Sequence, residues 1–254
     1  MDSCVVILSG GQDSATCLVK ALHEYKNINT LIFDYGQRHS REIECAKRIA
    51  KELNVPAEVI KLEGLLLSSS PLLSNNPLEL YENKEQMEKV VGKRVENTFV
   101  PMRNGLFLTI AANRAAALYK NADIIIGVCE EDDANYPDCT EKFISQAQNY
   151  IDAALWPTAD IMIQTPLLHV SKADAIKEMW DVPMWQEIMS ITHTSYAGDY
   201  PPLSKNHSNI LRAASFEEAE KPDPLIVRAW KEGLMELPKT ENYKGVTNDY
   251  PKTF

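Results

Sequence analysis

Five short apolar runs alternate with segments of helical periodicity along the first two-thirds of the chain, and this alternation restricts the fold more than any other feature. The runs occupy residues 5–8, 30–33, 58–62, 124–128 and 161–164; the periodic segments occupy 14–24, 43–53, 103–118 and 140–155. In the first of these Ala15, Leu18, Val19 and Leu22 share a helix face, and in the second Ile43, Ala46, Ile49 and Leu53 do so. Continuous apolar runs suit strands buried on both sides, which is the situation in a parallel sheet with helices on both faces. The expected fold is therefore α/β, a doubly wound five-stranded parallel sheet, with ligands bound outside the carboxyl ends of the strands. With 254 residues, 44% of them hydrophobic, the chain can bury one substantial domain of this kind. We place it at 1–182. A polar, turn-rich excursion at about 65–98 interrupts it and could act as a lid. A small helical region at 183–235 follows, with helices expected around 216–219 and from Asp223-Pro224 to near Gly233, then a polar tail at 236–254 without periodicity.

Directly after the first run, at Leu8, stands Ser9-Gly10-Gly11-Gln12-Asp13-Ser14, and a helical segment follows at once. Strand, glycine turn and helix start together make an anion site from backbone N–H groups. Adjacent glycines let the main chain approach a phosphate closely, and the helix dipole favours negative charge there. Ser14 is expected to cap the helix. No Gly-x-x-x-x-Gly-Lys-Ser/Thr loop occurs in the chain.

A net charge of −10 weighs against non-specific nucleic-acid binding, which needs basic surfaces. No run approaches the roughly 20 apolar residues of a membrane helix, and the first residues enter a strand without a signal-peptide pattern. A cytoplasmic location is expected. The five cysteines are scattered and never at Cys-x-x-Cys spacing, so we read them as reduced thiols, with Cys4, Cys17 and Cys45 in the core.

Several polar groups follow strand ends, on the same edge as the glycine loop. After the second run come Gln37-Arg38-His39: Arg38 suits a carboxylate or phosphate, and Gln37 and His39 suit a heterocycle. Arg103, followed by Asn104, opens a long helix, where a cation opposes the dipole and so points to an anion. After the fourth run stand Glu130 to Asp133 and then Tyr136-Pro137-Asp138-Cys139. Carboxylates near phosphates can hold Mg²⁺, and Asp138 with Asp13 is the expected pair, ahead of the acidic loop, which is more simply solvated. Ser171-Lys172-Ala173-Asp174 fits a helix cap; Lys172 either neutralises an α-phosphate or decorates the helix.

Ser9-Gly10-Gly11-Gln12-Asp13-Ser14 resembles the PP-loop of the ATP pyrophosphatases, which implies attack at the α-phosphorus of ATP and adenylation of the substrate. With Tyr35-Gly36-Gln37-Arg38-His39-Ser40, Thr98-Phe99-Val100-Pro101, Arg103-Asn104, Gly127-Val128-Cys129-Glu130, Tyr136-Pro137-Asp138-Cys139, Thr192-His193-Thr194 and Leu211-Arg212, the chain resembles the 7-cyano-7-deazaguanine synthase (QueC) family over about residues 5–219. The resemblance implies an ATP- and Mg²⁺-dependent ligase that activates the carboxylate of 7-carboxy-7-deazaguanine as an acyl-adenylate, which ammonia converts to an amide and a second ATP to a nitrile. It also implies a homodimer. Carried over by residue, it assigns residues 8–14 to ATP, Gln37, Arg38, His39, Arg103, Asn104 and Tyr136 to the substrate, and Asp13, Arg103, Asp138 and Lys172 to catalysis.

Two departures stand out. The family's Pro-Gly-Arg-Asn is Pro101-Met102-Arg103-Asn104 here, which sets a bulky side chain at the expected pocket wall. The four zinc cysteines fall on Ser195, Leu203, Asn206 and Asn209; leucine and asparagine are not zinc ligands, and no structural zinc is expected. Either packing replaces the metal and the reaction is unchanged, or the chain serves a new acceptor. QueC-like proteins of bacterial antiviral operons resemble the second case, with a protein N-terminal amine attacking the same adenylate. A catalytically inactive nucleotide- or deazaguanine-binding protein is the remaining alternative.

Overall fold

The computed structural model, which describes residues 1–129 and 135–247, joins the apolar runs into one parallel sheet. Strands β1 (Ser3–Ile7), β2 (Asn27–Asp34), β3 (Ala57–Lys61), β4 (Asn121–Ile125) and β5 (Asp160–Gln164) lie in the order β3-β2-β1-β4-β5, all parallel. All five residues of β1 are buried, because its side chains serve two cores. Cys4 and Val6 enter one apolar cluster, Val5 and Ile7 the other. Helices α1 (Gln12–Glu24), α2 (Arg41–Glu52), α6 (Lys172–Met179), α7 (Trp185–Ile191) and α8 (His207–Glu218) cover the first face; α4 (Arg103–Tyr119) and α5 (Glu141–Leu155) cover the second. Each fully buried Val, Leu or Ile contributes about 1.5–3 kcal/mol to holding these layers together. The chain winds outward from β1 to β3 and then crosses back to β4, so the ends of β1 and β4 frame the crevice where doubly wound sheets bind ligands.

The remaining helices, α3 (Lys84–Val91) and α9 (Pro224–Lys231), lie outside the sheet. The excursion at 65–98 is more ordered than its composition suggests. Asn83 caps α3 by accepting from Gln86 N at 2.9 Å, and Tyr81, Met87 and Val91 pack on Leu211 of α8. Two turns with two buried residues leave too short a pattern to recognise. α7 was also invisible: Trp185, Ile188, Met189, Ser190 and Ile191 are all buried, so no polar stripe marks it as amphipathic. Trp185 is 0% exposed, and its indole N–H donates to Thr16 Oγ1 at 3.1 Å, tying α7 to α1. α8 spans twelve residues, where only 216–219 were expected, because its inward face holds His207, Asn209 and Arg212 in place of apolar residues. α9 starts and stops where Asp223-Pro224 and Gly233 indicate, with Asp223 accepting from Leu225 N.

The first part of the polar tail lies on its own chain: Tyr243 OH accepts from Asp223 N at 3.3 Å, and Asn242 donates to Lys221 O at 3.0 Å. Cys4 and Cys17 are core residues; burial pushes the Cys4 thiol up to about 12. Cys45 is only half-buried, contrary to expectation.

Met102 corrects a sequence inference. Its side chain is 71% exposed and does not line the cavity described below; its backbone is left-handed, at φ 63°, immediately before α4. The position calls for glycine's backbone, not for its small size. A side chain in this region costs roughly 1–2 kcal/mol. Met102→Gly should therefore stabilise the protein by about 1 kcal/mol, read as a higher urea midpoint at unchanged m; an unchanged or lower midpoint contradicts this account.

Candidate active site

β1 and β4 end at a cavity of about 230 Å³ whose floor is the glycine loop. The loop is closed on itself by hydroxyls. Ser9 Oγ and Ser14 Oγ lie 2.9 Å apart, Ser9 N donates to Ser14 Oγ at 3.1 Å, and Ser14 Oγ donates to Gly11 O at 3.2 Å. Ser14 is thus the third residue of α1 and does not cap it; Gly11 occupies the cap and no side chain bonds the first-turn amides. Those N–H groups have no intrahelical partner, which suits an anion.

Two glycines let the loop be approached from both sides. A Cβ on Gly10, at φ 88°, would lie 2.4 Å from the backbone oxygen of Glu42 in α2. One on Gly127, just past β4, would lie 2.9 Å from Asp13 C and Ser14 N.

Leu8, Ser9, Gly11, Gln12, Asp13 and Ser14 all line the cavity, as do Gln37, Arg103, Asn104, Tyr136 and Lys172. Lys172 opens α6, capped as expected by Ser171, and its Nζ donates to Asp13 Oδ2 at 2.6 Å. This charge-assisted pair joins a loop near one end of the chain to a helix far along it. Arg103 opens α4 opposite. Burial works against its charge, but Tyr35, Tyr196, Tyr136 and Asp138 around it hold its pKa above the ordinary value. Gln37 turns its amide onto its own loop, accepting from Tyr35 N at 2.9 Å and donating to Phe33 O at 3.3 Å. Tyr136 is backed by Thr98 and Glu96, both buried.

Three expected site residues lie elsewhere. Asp138 is buried behind the cavity wall, where Oδ2 accepts from Asn104 N at 3.3 Å and its backbone oxygen accepts from Asn104 Nδ2 at 3.0 Å. Burial raises its pKa against the pull of Arg103 and of Asn104 N; it positions the start of α4 and does not line the cavity. Arg38 is exposed and donates to Asn76 O at 3.4 Å, while its N–H reaches Leu72 O, fastening the excursion. His39 packs against Gly198, where a Cβ would meet its ring at 2.5 Å. The loop after β2 has already turned away from the sheet edge at these residues. Glu130 to Asp133 lie outside the described residues.

Other groups complete the cavity without having been singled out. Phe33 and Phe107 stack at 4.0 Å between centroids and supply a flat apolar wall. Glu42 and Tyr196 also line it. His193 N donates to Gly10 O at 2.9 Å, and its Nε2 lies 2.9 Å from Ser195 O; burial lowers its pKa to about 4, so the ring is neutral at neutral pH. Only the Thr192-His193-Thr194 match signalled it.

Behind this segment Arg212 and Asp223, each 2% exposed, form a two-pronged ion pair at 2.6 and 2.8 Å. The guanidinium also donates to Thr192 Oγ1, Thr194 Oγ1 and Met189 O, so all of its donors are used. Nearby, three of the four positions that hold cysteine in the resembling family meet in a polar knot. Asn206 and Asn209 donate to Ser195 Oγ at 3.2 and 3.1 Å, and Ser204 joins them, held by Asp199. Leu203 is 64% exposed. Amides and hydroxyls are not zinc ligands, and the single carboxylate of Asp199 does not make a tetrahedral set, so the donors of the knot do not fit that metal. Mg²⁺ fares differently: it is commonly held by one or two carboxylates plus substrate phosphates, and Asp13 fits as such a ligand, whereas the enclosed Asp138 does not.

The family described as "Queuosine biosynthesis protein QueC" matches residues 3–220. Proteins named 7-cyano-7-deazaguanine synthase from Gloeobacter violaceus, Helicobacter acinonychis and Chromobacterium violaceum are 40%, 37% and 34% identical, covering 91%, 77% and 91% of this chain and 97%, 84% and 96% of their own lengths. Among solved structures, NMN synthetase from Francisella tularensis shows 14% identity over 96% of this chain and 83% of its own, with a TM-score of 0.41. The U34-tRNA thiolase NcsA from Methanococcus maripaludis shows 15% over 93% and 73%, at 0.40. Likenesses that low carry no functional weight. Among the described residues no helix is long and apolar enough to cross a membrane.

Two outcomes follow from this geometry. Gly127→Ala should keep the fold but displace the loop, weakening ATP binding at least about tenfold by calorimetry, the equivalent of 1.4 kcal/mol; wild-type affinity would show that the 2.9 Å approach is not limiting. Asp223→Ala, which strands a buried guanidinium, should lower unfolding free energy in urea by about 3–5 kcal/mol; a loss under 1 kcal/mol would show that the pair is not needed.

Proposed function

The chain belongs to the QueC family of queuosine biosynthesis proteins, and on that premise we propose that it activates 7-carboxy-7-deazaguanine as an acyl-adenylate for attack by an amine. It is an ATP-using enzyme of this family type. The observation that carries the finer reading is the Asp13–Lys172 pair beside the glycine loop, facing Arg103 within one cavity. A carboxylate is a poor electrophile, and AMP converts it into an acyl group with a good leaving group. In the proposed first step a substrate carboxylate oxygen attacks the α-phosphorus of ATP and the bond to the β-phosphate breaks, releasing pyrophosphate.

The residues divide this work by position. The first-turn amides of α1 and the hydroxyls of Ser9 and Ser14 receive the departing pyrophosphate. Lys172, released from Asp13 when phosphate enters, balances charge at the α-phosphate, and Arg103 holds the substrate carboxylate. Asp13 is the side chain that would hold Mg²⁺, which when bound neutralises charge on the phosphates. The Phe33–Phe107 wall and Tyr35 offer flat surfaces to a heterocycle. Ammonia then gives the amide with release of AMP, and a second ATP activates the amide oxygen for loss to the nitrile.

The test is to incubate the protein with the acid, ATP, Mg²⁺ and ammonia, and to measure nucleotide products. AMP and pyrophosphate are expected; ADP as the sole nucleotide product, or binding without pyrophosphate release in the presence of ammonia and of a protein acceptor alike, overturns the reading. Formation of the nitrile assigns ammonia as the amine, whereas a requirement for a protein acceptor assigns an N-terminal amine. Lys172→Met should lower kcat for AMP formation by about 10²–10³-fold, as expected for loss of a donor that stabilises developing charge. An unchanged kcat would place Lys172 outside the chemistry.

A further inference from the structure

Glu42 is a cavity-lining carboxyl to which neither the sequence motifs nor the function above gave a task. Three observations make it stand apart from the other acidic groups nearby. First, its backbone oxygen is packed directly against Gly10, so its side chain issues from the margin of the loop itself. Second, Asp13 pairs with Lys172 and is the side chain already given to Mg²⁺, while Asp138 and Glu96 lie behind the wall with their oxygens on Asn104 N and on Thr98, respectively. Third, among the described residues no hydrogen bond or ion pair within the protein engages the Glu42 carboxyl, although it is half-buried. A carboxylate that lines the cavity without a hydrogen bond or ion pair, and feels Arg103 only at longer range, is set to engage something that enters.

Resting on the adenylation reading, we infer that Glu42 is the general base that deprotonates the attacking amine in the second half-reaction. An amine arrives in water mainly as its ammonium, which is attracted by a carboxylate but cannot attack. Glu42 takes one proton from it. The nitrogen lone pair then forms the C–N bond to the acyl carbon, the C–O bond to AMP breaks with its electrons on the phosphate oxygen, and the second proton leaves with that phosphate. Charge and atoms balance without any further reactant.

The surroundings suit this task. Burial raises the Glu42 pKa to about 7, with Arg103 pulling the other way. Proton transfer is most effective when the base has a pKa near the working pH. Three other titratable groups that line the cavity are poorly matched: Tyr35 and Tyr136 are pushed up by burial, and His193 is pushed down to about 4.

The two half-reactions can be measured separately. Acid-dependent ATP–pyrophosphate exchange reports adenylation, and amide formation reports amine attack. For Glu42→Gln, exchange should persist within about threefold of wild type, while amide formation from ammonia falls by about 10²–10⁴-fold. Hydroxylamine, which is largely neutral at neutral pH and needs no deprotonation, should restore most of the lost rate. At fixed total ammonia the wild-type rate should rise as the carboxyl ionises along a limb that levels off above about pH 7, whereas the Gln variant, dependent on free ammonia alone, should lose that limb and keep rising. Glu42→Asp retains a carboxylate and should recover part of the ammonia rate together with the limb. Loss of exchange with a raised KM for the acid, an unaltered ammonia rate, or failure of hydroxylamine to rescue each overturns the inference. Absence of exchange in the wild type would instead overturn the adenylation reading itself.

Discussion

The glycine loop is shaped by backbone that presses on it from two sides, and the rest of the site takes its bearings from that clamp. At Gly10 the N-terminal turn of α2 comes so close that one methyl group would collide with a carbonyl, and at Gly127 the end of β4 does the same to the loop's far wall. Between these contacts the Ser9 and Ser14 hydroxyls leave the loop little freedom to spread. An anion can then meet amides that are already oriented, so little ordering has to accompany binding. Lys172 and Arg103 line the same cavity because α6 and α4 both begin at this edge of the sheet.

The helices after the sheet are part of this clamp. Burying Arg212 and Asp223 is costly unless every charge and donor is matched, and here every donor of the guanidinium is used. Its payload is the placement of Thr192 and Thr194, which bracket His193, whose N–H holds Gly10 O. Asp223 in turn starts α9 and meets Tyr243, so the segment beyond the helices also bears on the pair. The Ser195–Asn206–Asn209 knot fixes the neighbouring corner with amides and hydroxyls gathered on the Asp199 carboxylate.

How much of this was legible depended on whether the signal was local. Strands with two buried faces announce themselves as apolar runs, and caps such as Ser171 and Asp223 are local chemistry; both were readable. The glycine loop was also readable, except that Ser14 braces the loop instead of capping the helix. α7 escaped because a helix buried on nearly every side has no stripe, and α8 because its inner face is polar. Orientation separates residues of similar chemistry: Arg38, His39 and Asp138 have site-like side chains but do not line the cavity, while Met102 matters through φ alone. Glu42 went unnoticed because a glutamate in the first turn of an amphipathic helix is ordinary, and only the tertiary approach of α2 to Gly10 brings it into the cavity.

The bond from His193 N to Gly10 O has a consequence for biosynthesis of the chain. Residues near the beginning cannot take their final shape until residues near the end have arrived to hold them, since His193 depends on Arg212 and Arg212 on Asp223. Domains acquire structure as the chain emerges from the ribosome, and contacts between distant parts of a sequence form late. The sheet core can assemble early, but the nucleotide pocket is completed only when nearly all of the chain is free.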